Sequence, residues 1–113
     1  MKVLIAEADD VLRESATEAL SRSGFEVIEA STSELAAERC DRDHAEVLFT
    51  DIRLPGTFDG WDLAERCRET NPDMRVVYAL GDASDGMRPV PGSRLLHKPY
   101  LPSQVVAAIQ ELV

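Results

Sequence analysis

The stretch Val47-Leu48-Phe49-Thr50-Asp51-Ile52-Arg53-Leu54-Pro55-Gly56 limits the folds open to this chain more than any other. Three apolar residues lead into a lone acid and then into a Pro-Gly turn. A short unbroken apolar run bounded by turn residues predicts a buried strand. Such runs suit parallel sheets covered on both faces, where neither side of the strand meets water. The pattern recurs. Lys2–Ala6 runs into Glu7, Asp9 and Asp10, Arg75–Leu80 stops at Gly81, and Arg94–His97 stops at Lys98-Pro99. Residues 25–30 alternate, with Phe25 and Val27 expected on one side and Glu26 and Glu29 on the other.

Helical periodicity fills the gaps. Leu12, Ala16, Ala19 and Leu20 share one face over residues 11–22, with Asp9 or Asp10 as the cap and Gly24 as the stop. Ser31 and Glu34 offer a capping box for a helix reaching Cys40. Asp59 can cap a helix that ends at Thr70 and buries Leu63, Ala64 and Cys67, and Asn71-Pro72-Asp73 stops it. Val105, Ala108, Ile109 and Leu112 form the cleanest helical stripe, opened by Pro102. Between residues 82 and 93, Gly86, Pro89, Pro91 and Gly92 predict at most one helical turn. Strands alternating with helices give a three-layer α/β fold. The expectation is a doubly wound, five-stranded parallel sheet in the order 2-1-3-4-5, flavodoxin-like, with the fourth helix short or absent. The ligand crevice of that arrangement lies between strands 1 and 3, which brings Glu7 to Asp51 and places Lys98 at the flank.

The chain has 113 residues, which predicts a single domain over 1–113. Its formal net charge of -9 argues against nucleic acid or an anionic membrane as a direct partner. Cys40 and Cys67 fall in predicted helices and read as free thiols of a reducing, cytoplasmic setting. The apolar N-terminal run is too short for a signal peptide.

Four features together resemble the receiver domain of two-component response regulators. They are Glu7 with Asp9 and Asp10, Asp51 followed by Leu54-Pro55-Gly56, the Asp59-Gly60 pair, and Lys98-Pro99-Tyr100. The resemblance spans residues 2–113. It implies a phosphorelay function, in which Asp51 accepts a phosphoryl group from a phosphohistidine of a sensor histidine kinase or histidine phosphotransfer protein. It implies Mg²⁺ held by Glu7, Asp51 and the backbone carbonyl of Arg53, and Lys98 as the phosphoryl contact, across a cis Lys98-Pro99 bond. Asp9 stands as a further metal candidate, although capping competes for it. The implied output is binding of a downstream protein, near the crevice or on the face built by the fourth helix, fifth strand and last helix. Beyond self-phosphorylation and self-dephosphorylation on Asp51, no enzyme activity is implied.

Three positions depart from the family pattern. Ala8 replaces a usual acidic metal ligand, Leu80 a hydroxyl residue that contacts the phosphoryl group, and Leu95 the aromatic partner of that hydroxyl. Glu7 and Asp51 still meet the one or two carboxylates that often hold Mg²⁺, and the expectation is weak binding, with Lys98 doing more of the neutralising. Thr50 points to the side opposite Asp51 and cannot replace the missing hydroxyl; Ser84 is the candidate. The alternative function is a pseudo-receiver, a protein-interaction module that works without phosphorylation. An aspartyl-phosphate phosphatase is disfavoured, because Arg53 stands where a second catalytic Asp is needed. The Pro-Gly-Thr-Phe-Asp-Gly spacing is one residue longer than usual and resembles stand-alone or hybrid-kinase receivers. The resemblance leaves open which of those two settings applies, as it does the cognate kinase, the output and the oligomeric state.

Overall fold

The structure is a computed structural model that describes residues 1–81 and 86–113. Along the chain come β1 (Lys2–Ala6), α1 (Asp10–Arg22), β2 (Glu26–Ala30), α2 (Ser33–Asp43) and β3 (Val47–Asp51). Then follow α3 (Gly60–Thr70), β4 (Arg75–Leu80), β5 (Arg94–His97) and α4 (Pro102–Leu112). All strands pair in parallel, in the order β2-β1-β3-β4-β5.

Strand geometry divides the core in two, because successive side chains leave opposite faces of the sheet. Leu4, Leu48, Val76 and Tyr78 meet Ala36, Cys40, Leu63, Ala64 and Cys67 on the side covered by α2 and α3. Val3, Ile5, Val47, Phe49 and Val77 meet Ala16, Leu20, Val105 and Ile109 on the side covered by α1 and α4. The register aligns Leu4 with Leu48 and Leu48 with Val76, so each layer is continuous across neighbouring strands. A fully buried side chain of this kind contributes about 1.5–3 kcal/mol through lost water contact. A one-residue slip of β3 would turn Asp51 away from Glu7 and Lys98 and force Leu48 into the layer that Val47 and Phe49 fill.

Two local expectations need correction. The capping box of Ser31 and Glu34 does not form. Thr32 is the cap of α2, its hydroxyl accepting from the Leu35 N–H at 3.2 Å, and Glu34 is engaged elsewhere. Glu29 does not share a side with Glu26. Three residues apart on a strand means opposite faces, and Glu29 pairs with Arg13 of α1 at 3.2 Å.

Residues 86–93 form no helix, in keeping with their glycines and prolines. They are docked on α3 instead. Val90 enters the core, and its N–H donates to the Tyr78 hydroxyl at 3.1 Å. Arg88 spans Asp62 and Glu65 at 2.8 and 3.0 Å, and Arg68 donates to the Pro91 carbonyl at 2.8 Å. Ser84, the candidate replacement hydroxyl, lies outside the described residues.

Candidate functional site

Parallel strands end together, and the side chains just past their carboxyl ends share one rim. Glu7 follows β1, Asp51 closes β3, and Lys98 follows β5. Lys98 Nζ donates to Asp51 Oδ2 at 2.9 Å and lies 3.8 Å from Glu7 Oε1. The three groups converge although Asp51 is 47 residues from Lys98 along the chain. Both carboxylates are largely sheltered from water: Glu7 is 2% exposed and Asp51 8%.

Burial and the neighbouring Asp51 charge push the Glu7 carboxyl above its ordinary value, and Lys98 only partly offsets them. Burial works against the Lys98 ammonium, but its hydrogen bond to Asp51 and the charges of Asp51 and Glu7 outweigh that, so its pKa rises. One ammonium faces two carboxylates, and the rim keeps an excess of negative charge.

The remaining members arrive from the flanking loops. The Arg53 N–H donates to Asp51 Oδ1 at 3.4 Å. Asp9 caps α1, its Oδ1 accepting from Val11 and Leu12 at 2.9 and 3.1 Å, so one of its two oxygens is committed to the helix start. Gly60 begins α3 directly against Asp51; a Cβ there would overlap the Asp51 carbonyl oxygen, which only glycine avoids. The Lys98-Pro99 bond is cis. Thr50 Oγ1 donates to the Asp51 carbonyl at 2.9 Å from within the other face of β3.

Tyr100, named above only as part of a motif, is a member to which the sequence assigned no role. Its hydroxyl donates to Glu7 Oε1 at 3.3 Å, and its ring meets Phe49 edge-on at 5.5 Å. Burial and the Glu7 charge push its pKa up, so it stays a donor. A tyrosine two residues past a lysine carries no such message in sequence. Its partner lies 93 residues away.

A family model for the response regulator receiver domain matches residues 3–110. The chain belongs to the response regulator receiver family. It is 28% identical to the response regulator receiver protein CpdR of Brucella abortus, over 99% of this chain and 96% of that one. It is 27% identical to the sensor kinase CckA of the same organism, over 98% of this chain but 12% of the kinase. A crystal structure of a receiver protein from Sinorhizobium medicae superposes with a TM-score of 0.87 at 30% identity, covering 99% of this chain and 93% of that one. The receiver domain of the hybrid histidine kinase CckA shares the fold, with a TM-score of 0.85 at 23% identity and coverage of 99% and 98%.

Within this receiver, Glu7, Asp51 and the Arg53 carbonyl offer oxygen donors only, the set that a hard divalent cation such as Mg²⁺ takes. The fit is spare. Among the described residues no three His, Cys, Asp or Glu side chains surround one point. Ala8 and the capping commitment of Asp9 account for that. Leu80 is buried and Leu95 is 37% exposed, so neither places a polar atom where a phosphoryl group on Asp51 would stand. No helix of the described residues is long and apolar enough to cross a membrane.

Proposed function

We propose that this receiver, a single domain over residues 1–113, accepts a phosphoryl group on Asp51. The donor is a phosphohistidine of a sensor histidine kinase or histidine phosphotransfer protein. The observation that carries the reading is the Lys98 ammonium on the Asp51 carboxylate with Glu7 alongside. An Asp51 oxygen attacks phosphorus and forms an acyl phosphate, while the bond to the donor imidazole breaks and the nitrogen keeps the electron pair. Asp51 is an anion approaching an anion, so the site must supply countercharge. Lys98 is placed to release Asp51 Oδ2 and take a phosphoryl oxygen, as a compact point charge can. Glu7, Asp51 and the Arg53 carbonyl would hold Mg²⁺, which would supply further positive charge at the site. With two carboxylates its binding is weak, and Lys98 carries more of the neutralisation.

The donor has a surface to meet. A crevice of about 410 Å³ lined by Leu12, Gly81, Lys98, Pro99 and Tyr100 opens beside the lysine. Val11 and Leu101, each adjoining a lining residue, are 71% and 64% exposed. Apolar area at the rim of a charged site favours a protein partner. The net charge of -9 disfavours nucleic acid, and the setting is the cytoplasm.

A second reading has its own support: Ala8, Leu80 and Leu95 stand where the family pattern has a metal ligand and two groups that respond to a phosphate, as in a pseudo-receiver that binds partners unphosphorylated. The test is intact mass after incubation with a small-molecule phosphodonor and Mg²⁺. The first reading predicts one phosphoryl adduct that is lost in Asp51→Asn. No adduct at any Mg²⁺ concentration favours the second.

A further inference from the structure

The loop leaving Asp51 is one residue longer than the family's usual spacing, and the extra length is tied down from outside the site. At its inner end the Gly60 N–H donates to the Ile52 carbonyl at 2.8 Å. At its outer end one oxygen of Glu34, Oε2, accepts three hydrogen bonds. They come from the Thr57 N–H at 2.7 Å, the Thr57 hydroxyl at 2.8 Å and the Ser33 hydroxyl at 2.8 Å. Ser33 is fully buried, and its own N–H donates to the Pro55 carbonyl at 2.8 Å. Gly56 runs between them at φ +132°, and a Cβ there would stand 2.7 Å from either Glu34 oxygen. The α2 N-terminus therefore grips residues 55–57 closely enough to exclude a side chain. Arg53, with its N–H on Asp51, lies between the two anchors.

Bonds to an ionised carboxylate are roughly twice as strong as neutral ones, and three on one oxygen are more than a surface acid at a helix start requires. The charge belongs to the loop: the Thr57 N–H is the foremost cause that holds the Glu34 carboxyl down at about 2.

We propose that Glu34 is a positioning residue of the phosphoacceptor site. Through Thr57, Ser33 and Pro55 it fixes the loop so that the Arg53 N–H stays on Asp51 and the Arg53 carbonyl stays available to a cation. This rests on the receiver reading above. It assigns to α2, which contributes nothing to the acidic rim, a part in the chemistry at that rim.

The test compares wild type, Glu34→Ala, Glu34→Gln and a control, Glu38→Ala, which removes an exposed acid of the same helix paired with Arg42. Hydrogen exchange reads the loop, Trp61 fluorescence reads Mg²⁺ binding, and intact mass reads acceptance from a small phosphodonor. In Glu34→Ala, exchange over residues 52–58 should quicken roughly tenfold, as expected for losing charge-assisted bonds. The Mg²⁺ midpoint should rise by roughly tenfold, the usual cost of removing an outer support of a metal donor. Glu34→Gln, which keeps an acceptor oxygen, should recover part of both, and Glu38→Ala should match wild type. A Glu34→Ala protein whose loop exchange is unchanged overturns the proposal. So does one whose loop loosens while the Mg²⁺ midpoint and acceptance rate stay at wild type, since the clamp is then structural only. A wild type that takes neither Mg²⁺ nor a phosphoryl group overturns the receiver reading, and the positioning role with it.

Discussion

The two ends of the β3–β4–β5 half of the sheet are built on different physics. At the β3 end, Glu7, Asp51 and Lys98 bring charge together at 2.9 and 3.8 Å, and the loop behind them is clamped by Glu34. Across β4 and β5, Leu80 and Leu95 put hydrocarbon where the family pattern has a hydroxyl and an aromatic ring. Residues 86–93 there are held to α3 through Arg88 and to β4 through Val90. One region gathers the charges on which the proposed phosphoryl acceptance rests, and the other carries leucines at two positions where the family pattern has responding groups. On the function proposed above, accepting a phosphoryl group and responding to it become separable properties of this fold. A receiver of this build would signal through the rim itself, or through α3, whose first residue abuts Asp51.

The comparison can be broken at either region. The largest effect belongs to Lys98→Met. Removing the ammonium takes away a preorganised charge at the reacting oxygens, and phosphoryl acceptance should fall by roughly a hundredfold. Stopped reactions followed by intact mass check this; a fall of less than about threefold would mean that Lys98 is a bystander.

Leu80→Thr probes the other region. Leu80 is 3% exposed, so the exchange removes packed methyls and buries a hydroxyl, at a cost of about 1–3 kcal/mol. Thermal melting reads it. An unchanged melting temperature would mean that the new hydroxyl found a partner, and that the region is less apolar than its side chains indicate.

Arg88→Ala tests the hold on α3. Arg88 meets Asp59, Asp62 and Glu65, with side-chain exposures between 37% and 47% across the four groups. Exposed pairs are worth little, so the melting temperature should fall only slightly at low salt and less at high salt. Melting curves at two ionic strengths check both statements.

The smallest effect is a pH dependence. Glu34 ionises at about 2 in the folded chain, below its ordinary 4.5. The folded state therefore holds its proton less tightly than the unfolded state does. Stability from Glu34 is complete above about 4.5 and is lost as pH falls toward about 2. The melting-temperature gap between wild type and Glu34→Gln should be open at neutral pH and close across that window. A gap that widens in acid contradicts the clamp.

Most of the architecture was legible in the residues. Apolar runs such as Val3-Leu4-Ile5 and Val47-Leu48-Phe49 can only be inner strands, and the stripe of Val105 and Ile109 can only face them. The rim was legible for the same reason, since parallel strands bring their carboxyl ends together. What stayed hidden depends on partners distant in sequence. Glu34 carries the spacing of a capping box with Ser31, but its true partner is Thr57, 23 residues on. Tyr100 stood only as the last residue of the Lys98-Pro99-Tyr100 motif, and it is a donor to Glu7. Arg88 sits among glycines and prolines that predict a loop, and nothing local tells which surface that loop will grip.

The most direct measurement is to trap and locate the acyl phosphate. After reaction with a phosphodonor, borohydride reduces an aspartyl phosphate to homoserine with loss of phosphate, and peptide mass mapping finds the altered residue. The account predicts homoserine at position 51 alone, with none in Asp51→Asn. Modification at Glu7, Asp9 or another acid, or none in a wild-type protein whose fold is intact, would contradict it.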